Sequence, residues 1–400
     1  MKRKFEIIKL LKIGLPTFII SIMLVYCTNE VTPSLYDSVK DGPEKPVINS
    51  ISPESGLAGI TEFTLNGENF STVLEENVVY FGSTPAVVLS ASETQITVLP
   101  PNVVQDSIAV YMNTTSTLYS DTILVDLKSA INEVYAFADF ELPYAITADK
   151  DGNIYLSLSG EGVKKLTPEG ELTDFAPKGG ETFYSALQYG TGEILYGVRG
   201  VRALFKIEEG QAPATFAVFE NGTSMFDLDF DKDHNLWLGG KGGKIYRVPN
   251  NPTGTNDWKS FEFESDINAL KVYNDYLYIS ASSETSEDIY RKEIISADSL
   301  GANELVFSIL ANFEDGIKAS VITFTADGQM LLGTNDIDPI KFVNPDGSFG
   351  NLYEGVITPE IISFTWGMGD ELYVTVANEE IQTIYSVNIQ KSGAPQYGRE

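Results

Sequence analysis

Short apolar segments separated by turn residues recur along the C-terminal part of the chain. The clearest unit begins at Pro143 and reads as four strands, Tyr144–Ala148, Ile154–Leu158, Val163–Thr167 and Leu172–Phe175. Each segment is apolar or β-branched and is bounded by Gly, Pro, Asn or Asp, a pattern that predicts strands joined by tight turns. One such meander leaves both faces uncovered, so it requires neighbours.

The first turn of this unit recurs five more times. When the copies are aligned on it, residues 152, 192, 234, 275, 328 and 369 are equivalent, at steps of 40, 42, 41, 53 and 41 residues. A period near 40 with four strands per unit is typical of a β-propeller blade, so six copies predict six blades. The sixth copy lacks its outer strand, and an unmatched strand, Glu133–Phe140, precedes the first blade. We expect the two to share one sheet and close the ring.

The segments Leu142–Tyr155 and Thr167–Glu171 resemble blades of NHL-type propellers. The resemblance covers most of residues 133–390 and is sharpest in the first and third blades. It implies a fold and says little about function.

Residues 46–127 have a different pattern, with seven short alternating strands between Gly, Pro, Asn and Ser. This pattern predicts an immunoglobulin-like sandwich. Ile51–Gly56, Asn66–Phe70 and Val79–Gly82 resemble an IPT/TIG domain, which in extracellular bacterial proteins usually serves as a spacer. The expected fold class is therefore all-β, with an immunoglobulin-like (IPT/TIG) sandwich at 46–127 followed by a six-bladed NHL-like β-propeller at 128–395.

The N-terminus combines basic residues with an apolar run, Ile13–Tyr26, that ends at Cys27. This run is shorter than the roughly 20 residues of a spanning helix, so we interpret residues 1–27 as a secretory signal. Leu24–Cys27 resembles a bacterial lipobox, although Tyr26 stands where a small residue is usual. The resemblance implies lipidation of Cys27; plain cleavage and an uncleaved anchor remain alternatives. The polar residues 28–45 predict a flexible tether.

Charge and residue counts exclude several classes of function. The chain carries 27 Lys and Arg against 56 Asp and Glu, a net charge of −29, which disfavours nucleic acid and anionic lipid as electrostatic partners. Cys27 is the single cysteine and His234 the single histidine. We expect His234 in a peripheral turn of the third blade, so Ser-His-Asp and Cys-His catalysis are excluded. No cofactor or bound metal is expected.

Ligand contacts on a propeller gather where loops surround the mouth of the central channel. Aromatic rings stack on sugar faces, while amides and cations bind hydroxyls or carboxylates. The alternatives are that the rings pack between blades and that the cations neutralise nearby acids. The candidate residues are Tyr144, Phe183, Tyr184, Phe226, Asn268 and Lys318 from loops between blades, and Arg199, Arg202, Lys241 and Lys244 from loops between second and third strands.

The order of anchor, tether, IPT/TIG spacer and terminal β-domain resembles surface glycan-binding lipoproteins of polysaccharide-utilisation systems. The resemblance implies a non-catalytic protein in the outer membrane that faces the cell exterior, binds polysaccharide and works beside an outer-membrane importer. The four loop cations favour an anionic glycan. One alternative is a propeller adhesin or assembly module with a protein partner. Another is a metal-dependent lactonase or lyase, whose ligands would come from Glu141, Asp227, Asp229 and Asn268.

Overall fold

The computed structural model describes residues 44–399 except 116, 139, 181, 284–286, 358–360 and 379–380. The predicted signal peptide, Cys27 and almost all of the predicted tether lie outside the described residues. Across the described ranges the regular secondary structure is nearly all β-strand, and no helix there is long and apolar enough to cross a membrane. Two compact units divide the chain: the first contains described residues up to 55, 62–101 and 107–126, and the second contains 56–61, 102–106 and 127 onward.

The N-terminal strands form two sheets of a sandwich, one in the order β1-β3-β7-β6 and the other β2-β9-β8-β4-β5. Alternate residues point into the core, so Phe63 and Phe81 meet between the sheets with ring centroids 5.6 Å apart. A single turn of 3-10 helix, Leu74–Glu76, precedes β4. The strands are β1 (Val47–Ser52), β2 (Ser55–Leu57), β3 (Phe63–Glu68), β4 (Asn77–Phe81), β5 (Thr84–Pro85), β6 (Val87–Ala91), β7 (Gln95–Leu99), β8 (Gln105–Thr114) and β9 (Ile123–Lys128).

Gly67 explains why the Asn66–Phe70 motif of this sandwich contains a glycine. A Cβ atom at Gly67 would lie 1.9 Å from the carbonyl oxygen of Val47 and 2.5 Å from the ring of Phe70. Only glycine therefore allows β1 to pair closely with β3 while Phe70 folds back over the strand.

Six further sheets form the propeller blades within the described residues. Each blade begins at its innermost strand and proceeds outward. The first three blades are β11–β14 (Pro143–Ala148, Ile154–Leu158, Gly162–Leu166, Leu172–Ala176), β15–β18 (Ala186–Gly190, Ile194–Val198, Ala203–Ile207, Ala214–Val218) and β19–β22 (Ser224–Phe230, Leu236–Lys241, Lys244–Val248, Lys259–Glu262). The fourth and fifth blades are β23–β27 (Asp266–Tyr273, Tyr276–Ser282, Glu287–Ser296, Ser299–Leu300, Glu304–Ser308) and β28–β31 (Ala319–Phe324, Met330–Thr334, Ile340–Val343, Phe349–Asn351). The sixth blade combines β32–β34 (Ile361–Trp366, Glu371–Ala377, Gln382–Asn388) with β10 (Ile131–Ala136).

The sixth blade closes the ring as predicted, because β10 pairs antiparallel with β34. The Thr383 hydroxyl donates to the carbonyl of Tyr135 at 2.9 Å, and the Phe137 amide donates to the carbonyl of Gln382 at 2.8 Å. The ring therefore leaves no long free edge between its first and last strands.

The fourth blade accounts for the one irregular step in the repeat. Its third strand, β25, has ten residues and continues into a hairpin with β26 before the outer strand β27 begins. Arg247 of the third blade donates to the carbonyl of Ala297 at the tip of this hairpin, at 2.8 Å. A short helix, Ile309–Asn312, follows β27.

An aspartate holds the first turn of the first and third blades in the same way. The Asp149 carboxylate accepts from the Asn153 amide at 2.9 Å and from the Tyr155 hydroxyl at 3.0 Å. Asp231 accepts from the Asn235 amide at 2.8 Å and from the indole of Trp237 at 2.9 Å. The recurring Asp, Asn and aromatic positions are thus a turn motif, which explains why these two blades are the most regular in sequence.

Candidate functional site

The innermost strands of all six blades surround a channel, which contains a cavity of about 220 Å³. Because every blade starts at its inner strand, these strands run in the same direction, and their beginnings share one end of the channel. Ser185, Asn268 and Ser320 lie near that end, which we call the mouth. The wall combines apolar side chains with hydroxyl and amide groups, and these polar groups can form hydrogen bonds with a polar ligand.

The C-terminal segment 392–399 closes the opposite end of the channel. The Ala326 amide donates to the carbonyl of Ser392 at 2.7 Å, and the Ala394 amide donates to the carbonyl of Phe324 at 2.9 Å. Further along, Lys271 donates to the side chain of Gln396 at 2.7 Å. The predicted propeller ends at 395 and no role is predicted for this segment, because its Ser-Gly-Ala-Pro stretch has no strand periodicity.

Charged groups deep in the channel are largely committed to other protein groups. Asp229 and Lys271 form a buried ion pair at 3.1 Å, and Asp229 also accepts from the Val272 amide at 2.8 Å. Asp227 accepts from the amides of Leu270 at 2.8 Å and Leu228 at 2.9 Å, while burial raises the pKa of this carboxyl to about 7. Asp227, Asp229 and Lys271 together therefore add little net charge to the cavity near neutral pH.

Arg399 contributes a buried guanidinium group to the closed end. It donates to the carbonyl of Trp366 at 2.6 Å and to the hydroxyl of Thr365. Burial lowers the pKa of Arg399 to about 10, with a smaller opposing effect from Asp229 and Asp149. Since a guanidinium with this pKa keeps its proton at neutral pH, Arg399 carries a positive charge at the closed end.

Phe226 presents an aromatic ring at the mouth. Its backbone carbonyl accepts from the Ser185 hydroxyl at 3.0 Å, and its ring lies against Gly200, where an added Cβ would approach the ring to 3.3 Å. The ammonium group of Lys241 lies 5.9 Å from the ring centroid. Gly200 also has a positive φ of 72°. Glycine at this position therefore allows the turn conformation and leaves space for the ring of Phe226. Ring and cation together offer a stacking surface beside a positive charge.

Asn268 and Lys318 lie on the neighbouring part of the mouth. Asn268 donates to the hydroxyl of Ser282 and, at 3.5 Å, to Glu287. Lys318 is 3.5 Å from the same carboxylate, and 63% of its side chain is exposed. The structure thus brings Phe226, Asn268, Lys241 and Lys318 to one end of the propeller.

The remaining loop cations are engaged to different degrees. Lys244 pairs with Glu220 at 2.6 Å and with Glu262 at 3.6 Å, which favours the interpretation that it neutralises acids. Arg199 packs its guanidinium over the ring of Phe205 at 4.4 Å. Arg202 is exposed and donates to the carbonyl of Phe219 at 3.1 Å. The four cations therefore do not form one open basic patch.

The other predicted aromatic residues pack between the first and second blades. Tyr184 is fully buried and belongs to the core between the first and second blades, so its ring is closed to ligands. Tyr144 stacks on Phe183 with centroids 4.0 Å apart and an interplanar angle of 11°. Both rings are half-buried and outside the cavity lining. Sequence alone could not separate these packing rings from Phe226, because all follow the same loop pattern.

The residues proposed for a lactonase-type metal do not fit a metal ion. Asp227 and Asp229 direct their oxygens to backbone amides and to Lys271, and Glu141 accepts from the Ala138 amide at 3.0 Å, away from the cavity lining. No group of three or more His, Cys, Asp and Glu side chains within the described ranges could hold a metal. His234 lies in the turn between β19 and β20, as expected.

Comparison with known proteins confirms the predicted fold class. Residues 46–126 match the family model of the IPT/TIG domain. An auxiliary nutrient-binding protein from Bacteroides thetaiotaomicron is similar over 86% of this chain and 97% of its own, with 10% identity and a TM-score of 0.52. A gluconolactonase from Xanthomonas campestris is similar over 64% of this chain and 88% of its own, with 15% identity and a TM-score of 0.51.

A luciferin-regenerating enzyme is similar over 68% of this chain and 99% of its own, with 15% identity and a TM-score of 0.52. At such identities the similarities concern the fold alone, and propellers of this shape serve both binding and catalysis. The chain matches no curated protein.

Proposed function

We propose that this chain is a non-catalytic protein of the cell surface that binds polysaccharide at the mouth of its propeller channel. The observation that carries the proposal is the arrangement around Phe226. A partly exposed ring, a cation 5.9 Å from its centroid and an amide lie at the rim of a cavity whose lining includes hydroxyl and amide groups. A sugar chain offers apolar ring faces and many hydroxyls, which such a rim can bind together.

The charges at the mouth favour an anionic glycan. Lys241 makes no ion pair with any described residue, and Lys318 is only loosely paired, at 3.5 Å. Arg399 adds positive charge at the closed end of the cavity. In a chain of net charge −29, positive groups at the mouth would select uronic or sulfated sugars locally. The same overall charge argues against a nucleic-acid partner.

Two further observations support a binding role over catalysis. The carboxylates that a metal-dependent lactonase would need are occupied by backbone amides and Lys271. The similar structure from Bacteroides thetaiotaomicron, which covers 86% of this chain, is described as an auxiliary nutrient-binding protein. The predicted signal and Cys27 would attach the chain to the outer membrane, facing the exterior, beside the components of an importer.

A second candidate is binding to a protein partner, favoured by an aromatic patch on the sandwich. Tyr80 and Tyr111 stack with centroids 5.3 Å apart, and Tyr119 meets Tyr111 edge-on at 5.4 Å. Tyr119 is 53% exposed and the adjacent Leu118 is 80% exposed. An exposed apolar surface of this kind is typical of a contact site.

Calorimetric titration tests the proposal directly. The purified chain would be titrated with neutral, uronic and sulfated polysaccharides, with and without calcium, and each mixture would be analysed for products. We expect saturable binding of one class without turnover. Release of products in the presence of metal would contradict the non-catalytic proposal. No binding to any glycan would overturn it and favour the protein partner.

A further inference from the structure

A second concavity lies between the fourth and fifth blades and has a volume of about 670 Å³, within the range of small-molecule sites. Its lining includes Tyr273 and Asn274, where β23 turns into β24, and Gly328, where β28 turns into β29. These turns lie at the end of the blades opposite the mouth. The groove therefore opens on the other face of the propeller, away from the site proposed above.

Aromatic and aliphatic side chains form the floor and one wall of this groove. Tyr273 stacks on the buried ring of Phe324, with centroids 4.4 Å apart and an interplanar angle of 5°. Across the groove, Phe349 is 41% exposed and Leu305 is 60% exposed. Phe349 is held edge-on against Phe307 at 5.3 Å. Rings fixed by neighbouring rings lose little conformational entropy on binding, so they suit a ligand with an apolar face.

The charges of the groove are internally balanced. Of the described residues that line it, two are charged, and each has an opposite partner: Arg291 lies 2.8 Å from Glu304, and Asp327 lies 3.0 Å from Lys391. An anion or a cation entering the groove would therefore gain no unneutralised partner. This distinguishes the groove from the mouth, where Lys241 and Lys318 face solvent.

Amide groups supply hydrogen bonds at the rim. Asn274 and Asn312 are both exposed, and Asn312 uses its amino group on the carbonyl of Ser308, which leaves its oxygen as an acceptor. An uncharged ligand with apolar ring faces and outward hydroxyls matches a floor of rings, a rim of amides and the absence of net charge. We propose that this groove is a second glycan site, specific for an uncharged stretch of sugar residues. This inference rests on the proposed function and extends it to a second face.

The test uses the purified full chain and two sets of probes: xylohexaose, cellohexaose, maltohexaose and mannohexaose as neutral glycans, and hexagalacturonate as an acidic one. Phe349→Ala removes the exposed ring, and Leu305→Ser alters the same wall at an exposed position with little effect on packing. Phe140→Ala, at a ring that is 82% exposed elsewhere, is the matched control. Phe226→Ala removes the ring at the mouth.

We expect at least one neutral hexasaccharide to bind about tenfold more weakly to Phe349→Ala, and more weakly to Leu305→Ser, with Phe140→Ala unchanged. Binding of hexagalacturonate should fall only in Phe226→Ala. If the groove variants keep full neutral binding while Phe226→Ala loses it, the groove proposal is wrong and the proposed function stands. If no neutral probe binds, the groove proposal is wrong, and the proposed function is wrong as well if the uronic and sulfated polysaccharides also fail to bind. Thermal unfolding of each variant identifies loss of structure, and Leu305→Ser decides the question if Phe349→Ala unfolds.

Discussion

Asp227 lies in the channel wall, where burial raises its pKa to about 7 from a value near 3.8. The folded protein therefore keeps this proton between about pH 4 and pH 7, a window in which the unfolded chain has lost it. The contribution of Asp227 to the free energy of unfolding is largest below pH 4. It decreases, by about 4 kcal/mol at most, as the pH rises from 4 through 7. Among its neighbours, Asp229 raises this pKa and Lys271 lowers it.

Replacing Asp227 by Asn removes the titration while keeping a similar shape. We expect the free energy of unfolding of Asp227→Asn to increase, relative to that of the unmodified chain, as the pH is raised from 5 to 8. The reason is that only the unmodified chain must ionise a buried carboxyl over this range. Urea unfolding followed by tryptophan fluorescence measures the difference at each pH. If the free energies of unfolding of the two proteins differ by the same amount at pH 5 and pH 8, Asp227 is already ionised at pH 5.

Lys241 and Lys244 provide a matched pair of cations in one loop. Lys244 is neutralised by Glu220 at 2.6 Å, whereas Lys241 contacts the ring of Phe226. We expect Lys241→Gln to weaken hexagalacturonate binding about fivefold, or about 1 kcal/mol, and Lys244→Gln to leave it unchanged. Calorimetry at low salt measures both, and the Lys241 effect should shrink in 0.5 M salt. Equal losses in the two variants would indicate a general charge effect.

The side chains at the mouth also show which site residues could be predicted from the sequence and which could not. Their positions in loops between blades predicted ligand contact for both Phe226 and Tyr184. In the structure Tyr184 is fully buried between blades, whereas Phe226 lies at the rim. The difference depends on which direction each ring leaves its strand and on what the neighbouring strand offers. Gly197 on β16 illustrates this, because its missing Cβ, which would lie 2.7 Å from the ring of Tyr184, makes room for that ring. No local pattern specifies such a contact between two strands.

At the scale of elements, ring closure by β10 gives a quantitative expectation. Phe137 follows β10 and is buried in the core shared by the first and sixth blades, while Phe175 is buried on β14, the outer strand of the first blade. We expect Phe137→Ala to cost about 3 kcal/mol of unfolding free energy, similar to Phe175→Ala, because both leave cavities in one cooperative ring.

Urea unfolding measures this cost, and Trp237, Trp258 and Trp366, the three tryptophans of the chain, all report on the propeller. A cost below 1 kcal/mol for Phe137→Ala, beside a full cost for Phe175→Ala, would mean that β10 frays without opening the ring.

Strands and blades were predictable because each carries its own alternation and its own turn residues, such as Asp149 and Asp231. The segment 392–399 was not, since its contacts are with the ends of several blades and none is local in sequence. The groove between the fourth and fifth blades was missed for the same reason. Tyr273, Leu305 and Phe349 come from three separate strands or turns and meet only in the folded ring.

At the scale of the whole molecule, the proposed attachment to a membrane would depend on Cys27, which precedes the described residues. With a net charge of −29, the chain has no electrostatic attraction to an anionic bilayer, so acyl chains on Cys27 would supply the binding energy, at about 0.8 kcal/mol per buried methylene. We expect Cys27→Ser to move the protein from the membrane fraction to the soluble fraction and to abolish incorporation of labelled palmitate. Ser34→Ala, in the predicted tether, should change neither.

Protease treatment of intact cells extends this prediction to the side of the membrane. Degradation of the unmodified protein on whole cells would agree with exposure to the exterior, because a tether of residues 28–45 would leave the folded units accessible to protease. A protein that stays in the membrane fraction after Cys27→Ser would instead be held by its uncleaved apolar run Ile13–Tyr26. Such a protein would be anchored through its signal segment, and lipidation of Cys27 would have no part in its attachment.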